Sequence, residues 1–586
     1  MKSDQSLVSI PKDAPILIAA AWPYVNGQIH VGHLVGYFIP ADIFARYNRL
    51  KGRPVLMVSG ADCYGTPITV AADKEGKTPQ EIVAEYYPQV LDLIALLDVQ
   101  YDLFTKTTSK NHHEVVQDLF IKLANNGFIS KKITPQYYSE KDNKFLPDRE
   151  VEGTCPNCGY TEARADQCDN CTKVLSEGEL INPYNRSTKS PVTFRDTEHY
   201  FLNLEKLSLQ LEKYVEDKTF WREWVLAETK GWLTRGIEGR SITRDLNWGI
   251  EIPQNEIPEG LRLENVENKK FYVWFDAVIG YLSASVEWSK LHMSDTSSDT
   301  ELPWLDWKYY WYNENARHFY FMGKDNLFFH TLWWPGILEG ADSKLQKPYM
   351  VSICQWLTLE SKKFSKSRGV VLYPDYVVEN YGLDALRYYL TSIMPENHDS
   401  DWNWKNFVAT NNNELVANLG NFIHRVLSFY KAHDEIELSQ HLNISIQDVV
   451  KTEITEAYYE VGRLIEECKF VDALQRIMSL SSFGNKYFND SQPWVSIKIN
   501  KTDTAESIYN CITIIDNLRI LIHPFLPTST NRLSRMMGYS DTISTEVKKD
   551  QWHLKLWDHN QKMEQFLTPL FQKFDEKEVL EKEVIN

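Results

Sequence analysis

The chain has 586 residues, 43% of them apolar, with a formal net charge of −17. That length exceeds what one hydrophobic core serves and points to three or four domains. No apolar run approaches the ~18–20 residues needed to span a bilayer, and the stretch from Met1 to Pro15 lacks the apolar core of a signal peptide. The acidic balance excludes a generic nucleic-acid coat, which holds phosphates through clustered Lys and Arg, but not local basic tracks on an acidic body.

In chain order, residues 16–127 alternate strand and helix signals. Ile16–Ala21 and Val55–Ser59 are short apolar runs bounded by Pro, Gly and charged residues, while Ala41–Leu50 and Pro79–Leu97 carry helical spacing. This predicts the first half of a Rossmann-like, doubly wound parallel sheet (1–127), whose ligands sit beyond the carboxyl ends of the strands. Residues 128–240 break the pattern and read as an insertion. Within it, Cys155-Pro-Asn-Cys158 and Cys168-Asp-Asn-Cys171 form two C-x-x-C pairs. Four thiolates at that spacing suit a closed, structural Zn2+ site, a knuckle; persistent disulfides are not expected in a cytosolic chain. Cys63, Cys354, Cys468 and Cys511 have no partner spacing.

Strand-like runs resume at Phe271–Phe275 and His318–Met322, completing the sheet domain over 241–345. Another, Tyr349–Cys354, leads into a lysine-rich loop within a small domain at 346–404. From about residue 405 the periodicity turns helical: Leu415, Leu419, Phe422, Ile423 and Val426 mark one stripe. Ile508, Ile512, Ile515 and Leu518 mark another, before a stop at Pro524 and Pro527. The reading is an α-helical bundle over 405–550 and a Glu- and Lys-rich helical tail over 551–586.

Two motifs carry the chemistry. After the first strand the chain reads Pro23-Tyr24-Val25-Asn26-Gly27-Gln28-Ile29-His30-Val31-Gly32-His33, with an apolar-periodic segment from Leu34 to Leu50. Far downstream it reads Lys363-Phe364-Ser365-Lys366-Ser367-Arg368-Gly369. The first is strand, loop, helix, with two imidazoles at a helix N-terminus, where unpaired N–H groups and the dipole attract anions. Two histidines and two lysines converging there suit a triphosphate undergoing displacement of pyrophosphate. Neither motif offers a covalent nucleophile, so the task is orientation and charge stabilisation around a nucleophile the substrate brings.

This ordered pair resembles the two signatures of class I aminoacyl-tRNA synthetases, and the residues between them resemble the methionyl-tRNA synthetases, over about Ile16 to Trp494. Val31 and Phe364 stand where that family usually has Ile and Met. The resemblance implies that His30, His33, Lys363 and Lys366 stabilise charge in adenylate formation. It implies an ATP site of Asn26, Gly27, His30, Gly32, His33, Gly323, Asp325, Lys363, Ser365, Lys366 and Ser367, with Asp325 on the ribose and Mg2+ accompanying the phosphates. For methionine it implies Ala21, Trp22, Tyr24, Asp62, Arg244, Trp274, Ala277, Tyr281 and His330. Asp62 would take the ammonium, Arg244 would lie near the carboxylate, and Tyr24 or His330 would offer a polar contact to sulfur. Trp22 is bulkier than the leucine common in the family, and Val278 stands where Pro or Thr is common. In the helical part, Asn421, Arg425 and Trp494 match the family's anticodon readers, through base-edge hydrogen bonds and stacking.

The expected activity is methionine–tRNA ligase, with ATP, L-methionine and tRNA(Met) as partners and no membrane. Synthetases for leucine, isoleucine or valine usually carry a larger editing insertion than 128–240 offers. A cysteine enzyme would place zinc in the pocket, and a nucleotidyltransferase without tRNA would not need the helical domain. Intact His30, His33, the two lysines and Asp62 argue against a catalytically dead RNA-binding scaffold. Pro569-Leu570-Phe571 resembles the linker before the C-terminal tRNA-binding, dimer-forming domain of longer relatives. The expectation is therefore a cytoplasmic monomer, with a separate tRNA-binding protein as an alternative source of that function in trans.

Overall fold

The computed structural model describes residues 8–584 apart from 147–149, 166–167, 169, 172, 174, 176–177, 294–301, 365–368, 434–444, 540–542, 544–548, 559–560, 562 and 565–566. Its centre is a five-stranded parallel sheet: β1 (Ile16–Ala20), β2 (Val55–Ala61), β3 (Leu103–Lys106), β4 (Arg317–Gly323) and β5 (Met350–Cys354), in spatial order β5-β4-β1-β2-β3. β1 and β2 are buried at every position. Continuous apolar runs of this kind suit a parallel sheet covered by helices on both faces. Ile18 pairs Met57 on one side and Phe319 on the other.

The order defines the site. From β1 the chain winds outward through β2 and β3, then returns across the sheet to β4 and β5, so the direction reverses between β1 and β4. Ligands of open α/β sheets bind at that reversal, beyond the carboxyl ends of the strands.

Between β1 and β2 runs α1, a helical stretch at 31–50 assembled from Val31–His33, a π-helical turn at Leu34–Phe38 and Ile39–Leu50. Two helices, Thr66–Glu75 and Pro79–Leu96, connect β2 to β3, the second opened by a Thr78/Glu81 capping box. The helix Lys110–Asn125 then leads to an antiparallel ribbon of Ile129–Ser139 with Thr193–Leu202. The ribbon carries three short strands and a small separate core that includes Leu146, Val151, Cys155, Cys168 and Leu180.

One expected strand is a helix. Phe271–Phe275 contributes only the end of a short strand, Lys269–Phe271, and Val273 begins α2 (Val273–Met293). An apolar run buried on every side has the same periodicity as strand or as helix, and here its length decides for helix. Phe275, Val278, Ile279, Tyr281, Leu282 and Ala284 are all buried, so no polar face marks the turn. The expected stop at Pro524 and Pro527 is also only half a stop. The helix Lys501–Leu521 ends there, but Pro527 sits in the first turn of the next, Pro527–Met536, where its missing N–H costs nothing.

The C-terminal part is helical: Asn421–Ala432, Asp448–Glu466, Phe470–Ser491 and Lys501–Leu521 pack together after a π-helical stretch, Asn411–Gly420. It is bolted to the sheet domain by buried charge. Arg387, on the helix Leu383–Ser392, reaches Asp42 of α1 at 2.7 Å and the carbonyls of Leu97, Pro524 and Phe525. Arg46 holds the same Asp42 oxygen at 2.8 Å. The tail helix Glu576–Glu583 docks through Glu583, which accepts from both Tyr376 and Tyr381 at 2.6 Å.

Candidate active site

The loop after β1 ends in His30, which caps α1. Its backbone is extended (φ −113°, ψ 166°) and its Nδ1 accepts the Gly32 N–H at 3.2 Å. That bond fixes the tautomer, leaving the proton on Nε2, directed away from the turn. His33 Nδ1 lies 3.3 Å from the His30 backbone N–H, and the two rings are 3.9 Å apart. A Cβ on residue 32 would come within 2.9 Å of the His30 ring, so the turn requires glycine. Asn26 and Gly27 form the preceding loop, with Gly27 at φ 148°.

The lysine motif folds back onto this turn. After β5 a short hairpin pairs Leu357–Leu359 with Lys362–Lys363. Phe364 then lies flat on the His30 imidazole, 4.7 Å between centroids and 11° from parallel. Lys363 and Lys324 place their ammonium groups 4.8 and 5.0 Å from the Trp356 ring, so one indole holds two cations beside the site. Ser365, Lys366 and Ser367 lie outside the described residues. Gly323 ends β4 and precedes a 3-10 turn, Lys324–Asn326, on which Asp325 is exposed.

The third wall comes from β2 and α2. Asp62 follows β2, is 3% exposed, bridges Tyr24 through the backbone and accepts the Tyr64 N–H on Oδ1 at 3.1 Å. Ala21 continues β1, its N–H bonded to the Phe321 carbonyl. The Tyr24 ring covers Gly65, where a Cβ would come within 2.0 Å of it. Trp22 is wedged between two glycines: a Cβ on Gly60 or on Gly280 would each lie 2.6 Å from its indole. Its outer edge meets Tyr281 at 6.4 Å in a T-shaped contact.

Tyr281 and His330 form a buried polar pair, Oη to Nε2 2.8 Å, while His330 Nδ1 lies 2.9 Å from the Asn326 carbonyl. Nδ1–H donates to that carbonyl, so Nε2 is the acceptor and the Tyr281 hydroxyl is its donor. Burial pushes the His330 pKa down to about 4, keeping the ring neutral. Both nitrogens are thus engaged, which leaves His330 no N–H for a thioether sulfur. Trp274 stacks on Phe329 at 4.0 Å and 6°, with its carbonyl held by the Trp333 indole N–H. Ala277 lies on the next turn of α2. Arg244 stands on the strand Thr243–Asp245 with its guanidinium 4.2 Å from the Tyr272 ring centre.

Asp276 escaped the sequence reading. It is fully buried, neither carboxyl oxygen has a hydrogen-bond partner, and burial, then Asp62, raise its pKa well above the ordinary range. The signal that could have found it is a charged residue inside an otherwise unbroken apolar run, Val273 to Leu282.

In the helical part, Arg425 donates to Asn489 Oδ1 at 2.9 Å and lies over Phe488, 5.1 Å from its centre. Trp494 meets the same Phe488 ring at 5.9 Å and is 42% exposed. Phe488 therefore joins two expected base readers, a role that spacing alone did not reveal. Asn421, one turn before Arg425, is exposed.

The four knuckle sulfurs lie within 4.8 Å of one another, with Cys155–Cys171 at 3.8 Å and Cys158–Cys168 at 3.7 Å. Disulfides would bring the sulfurs to about 2.05 Å. A tetrahedral Zn2+ with bonds of about 2.3 Å would set them about 3.8 Å apart. The cluster fits a metal ion of that size. The thiols are not alike: the Asn157 amide and then the Lys173 backbone hold Cys171 down to about 6, while burial pushes Cys168 up to about 11.

Comparison with known proteins agrees with this arrangement. Residues 16–427 match the family described as tRNA synthetases class I (M), and residues 444–583 the anticodon binding domain of methionyl tRNA ligase. A methionine–tRNA ligase of Roseiflexus sp. (strain RS-1) is 43% identical over 91% of this chain and 88% of its own. One of Dehalococcoides mccartyi is 41% identical over 97% of this chain and 98% of its own. A solved structure of Mycobacterium tuberculosis methionyl-tRNA synthetase in complex with methionyl-adenylate shares the fold, with a TM-score of 0.72 at 23% identity. It covers 95% of this chain and 99% of that one. With a sheet reversal holding the histidine turn and a helical domain matched in its own right, the chain belongs to the methionyl-tRNA synthetase family of class I aminoacyl-tRNA synthetases.

Proposed function

We propose that the chain is a methionine–tRNA ligase. It activates L-methionine with ATP to methionyl-adenylate and pyrophosphate. It then transfers methionine to the 3′-terminal adenosine of tRNA(Met), for initiation and elongation. The observation that carries this is the stacking of Phe364 on His30, which brings the lysine hairpin and the capped helix N-terminus over one end of the sheet. Asp62 and the Tyr281–His330 pair stand at that same end.

In the first step a carboxylate oxygen of methionine forms a bond to the α-phosphorus while the bond to the bridging oxygen of pyrophosphate breaks. No proton need move. What the site must supply is alignment and compensation for charge gathering on the phosphates. His30 supplies its Nε2–H, and His33, Lys363 and Lys366 complete the set. Asn26, Gly27, Gly32, Gly323, Ser365 and Ser367 line the ATP, with Asp325 on the ribose hydroxyls. Mg2+ enters with the ATP phosphates as part of that substrate.

Asp62 takes the methionine ammonium through a charge-assisted bond, with Arg244 toward the carboxylate. Ala21, Trp22, Tyr24, Trp274, Ala277 and Tyr281 surround the side chain, where aromatic edges favour a thioether by about 0.3–1.5 kcal/mol each. His330 acts as the acceptor that orients Tyr281. The knuckle cysteines hold one structural Zn2+, and Asn421, Arg425 and Trp494 read the anticodon.

We assign the six-part division at 127, 240, 345, 404 and 550, a monomeric state and a cytoplasmic location to the same reading. A tRNA-binding protein acting in trans is the alternative for acceptor-stem affinity. Among the described residues no helix is long and apolar enough to cross a membrane. ATP–pyrophosphate exchange with each common amino acid, without tRNA, tests the core of the proposal. Exchange with methionine alone is the expected result; exchange with another amino acid overturns the pocket, and none at all overturns the activity.

A further inference from the structure

Lys324 has no place in the proposed chemistry, yet it follows Gly323 at the same end of the sheet. Its ammonium group lies 5.0 Å from the centre of the Trp356 ring, and that of Lys363 lies 4.8 Å from the same ring. Two like charges are thereby held within one Debye length of each other, about 10 Å at 0.1 M salt. Both side chains are exposed, and among the described residues neither ammonium makes an ion pair or a hydrogen bond. Lysines elsewhere in the catalytic part do: Lys269 meets Asp245 at 2.8 Å and Lys347 meets Glu339 at 2.6 Å. The fold explains why the two cations meet. Lys324 opens the 3-10 turn after β4, whereas Lys363 comes from the hairpin after β5. Trp356 is anchored between them, its N–H given to Asp399 Oδ1 at 3.0 Å and its carbonyl accepting the Ser400 N–H at 3.0 Å. An indole so fixed draws cations onto its face. Each lysine is also one residue from a contact with the start of α1. Phe364, after Lys363, stacks on His30. Gly323, before Lys324, packs on Gly36, where a Cβ would lie 4.0 Å from the Gly323 nitrogen. The two cations therefore flank the turn of His30 and His33.

We propose that Lys324 is a further phosphate ligand for adenylate formation, and that Trp356 seats it with Lys363 as a two-cation clamp on the pyrophosphate end of ATP. As the bond between the α-phosphorus and the bridging oxygen breaks, its electron pair stays on that oxygen and enters pyrophosphate. The two ammonium groups donate hydrogen bonds to β- and γ-phosphate oxygens, and no proton is transferred. Charge-assisted bonds of this kind strengthen as charge gathers on the leaving group. The same anion relieves the repulsion between the lysines, which accounts for both being left without a carboxylate. Lys324 touches substrate, while Trp356 is a positioning residue that acts through the two lysines. The inference rests on the ligase reading.

Pyrophosphate exchange by the full chain, with pyrophosphate, ATP and methionine varied separately, reads the clamp. Lys324→Met keeps the apolar stem and removes the charge. The expected result is a fall in kcat/KM for pyrophosphate of about 10- to 150-fold, the worth of one charge-assisted hydrogen bond. The KM for methionine and the thermal midpoint stay unchanged. Lys324→Arg returns a cation to the ring and recovers most of the loss. Trp356→Leu weakens pyrophosphate more than Trp356→Phe does, and Lys324→Met added to Trp356→Leu has a smaller effect than Lys324→Met alone. An equal loss in Lys324→Arg overturns a role for the charge. A defect confined to the KM for tRNA in aminoacylation overturns the clamp and assigns Lys324 to tRNA phosphates. No exchange by the unsubstituted chain overturns the ligase reading on which the clamp rests, whereas exchange that Lys324→Met leaves untouched overturns the clamp alone.

Discussion

Gly280→Ala tests whether Trp22 is a wall of the methionine pocket. The added Cβ would fall 2.6 Å from Cζ2 of Trp22 and 2.7 Å from Cε2, distances that force something to move. The indole cannot retreat: Gly60 already leaves only enough room on the opposite side, where a Cβ would also lie 2.6 Å away. The remaining directions are toward Tyr281, 6.4 Å off, or a backward shift of α2 with Asp276 and Ala277. Overpacking of this kind costs about 1–3 kcal/mol. Felt wholly in methionine binding, that is about a 5- to 150-fold rise in KM. Pyrophosphate exchange, with methionine and ATP varied separately, should show the rise for methionine and little change for ATP. Trp22→Leu removes the ring that the Cβ strikes, so the double variant should recover most of the loss, a coupling that a double-mutant cycle measures. An unchanged methionine KM in Gly280→Ala, or an equal defect in the Trp22→Leu background, would refute the reasoning.

Asp42→Asn leaves Arg46 and Arg387 buried without their shared carboxylate, at a cost of about 3–5 kcal/mol. The first thermal transition should fall and the helical part should become susceptible to proteolysis; an unshifted transition argues that the ion pairs do not join the domains. His112, His318 and His330 are buried neutral, with pKa values held down by burial to about 3, 4 and 4. Below pH ~6.5 the unfolded chain binds protons that the folded one does not, so stability falls with pH, by about 2 kcal/mol per histidine between pH ~6.5 and ~5. Urea midpoints at the two pH values check this, and His330→Phe should lessen the drop. Elemental analysis should find one zinc per chain, lost in Cys155→Ser or Cys168→Ser with cleavage of the ribbon region. A metal-free preparation with full activity contradicts the zinc reading.

Much of the sheet was legible because its information is local. Ile16–Ala20 and Val55–Val58 are unbroken apolar runs, and parallel strands covered on both faces require little else. The same logic failed at Phe271–Phe275, since a helix buried on every side also lacks a polar stripe. The cysteine spacing was legible for a different reason: two short turns fix their thiols in pairs, and only the distance between the pairs depends on the fold. The Arg387–Asp42 bridge was not legible at all. Its partners lie in separate parts of the chain, and nothing in the local pattern says that α1 will face the helix Leu383–Ser392.

The site divides along the same line. His30 and His33 announce themselves because a helix N-terminus is a local structure that needs a cap, and Gly32 leaves the room that the His30 ring takes up. The proton position of His330 does not, because it follows from partners supplied elsewhere. The Asn326 carbonyl and the Tyr281 hydroxyl make His330 an acceptor rather than a donor to sulfur. Phe364 looked like a harmless exchange of one apolar residue for another, but folded against His30 it supplies a flat ring where an unbranched thioether could only touch. Asp276 is the sharpest case. In sequence it is one acidic residue in an apolar run; in the fold it is fully buried, and burial first and Asp62 second raise its pKa well above the ordinary range. Local pattern identifies which residues can do chemistry, whereas the protonation state in which they do it is set by neighbours the pattern never mentions.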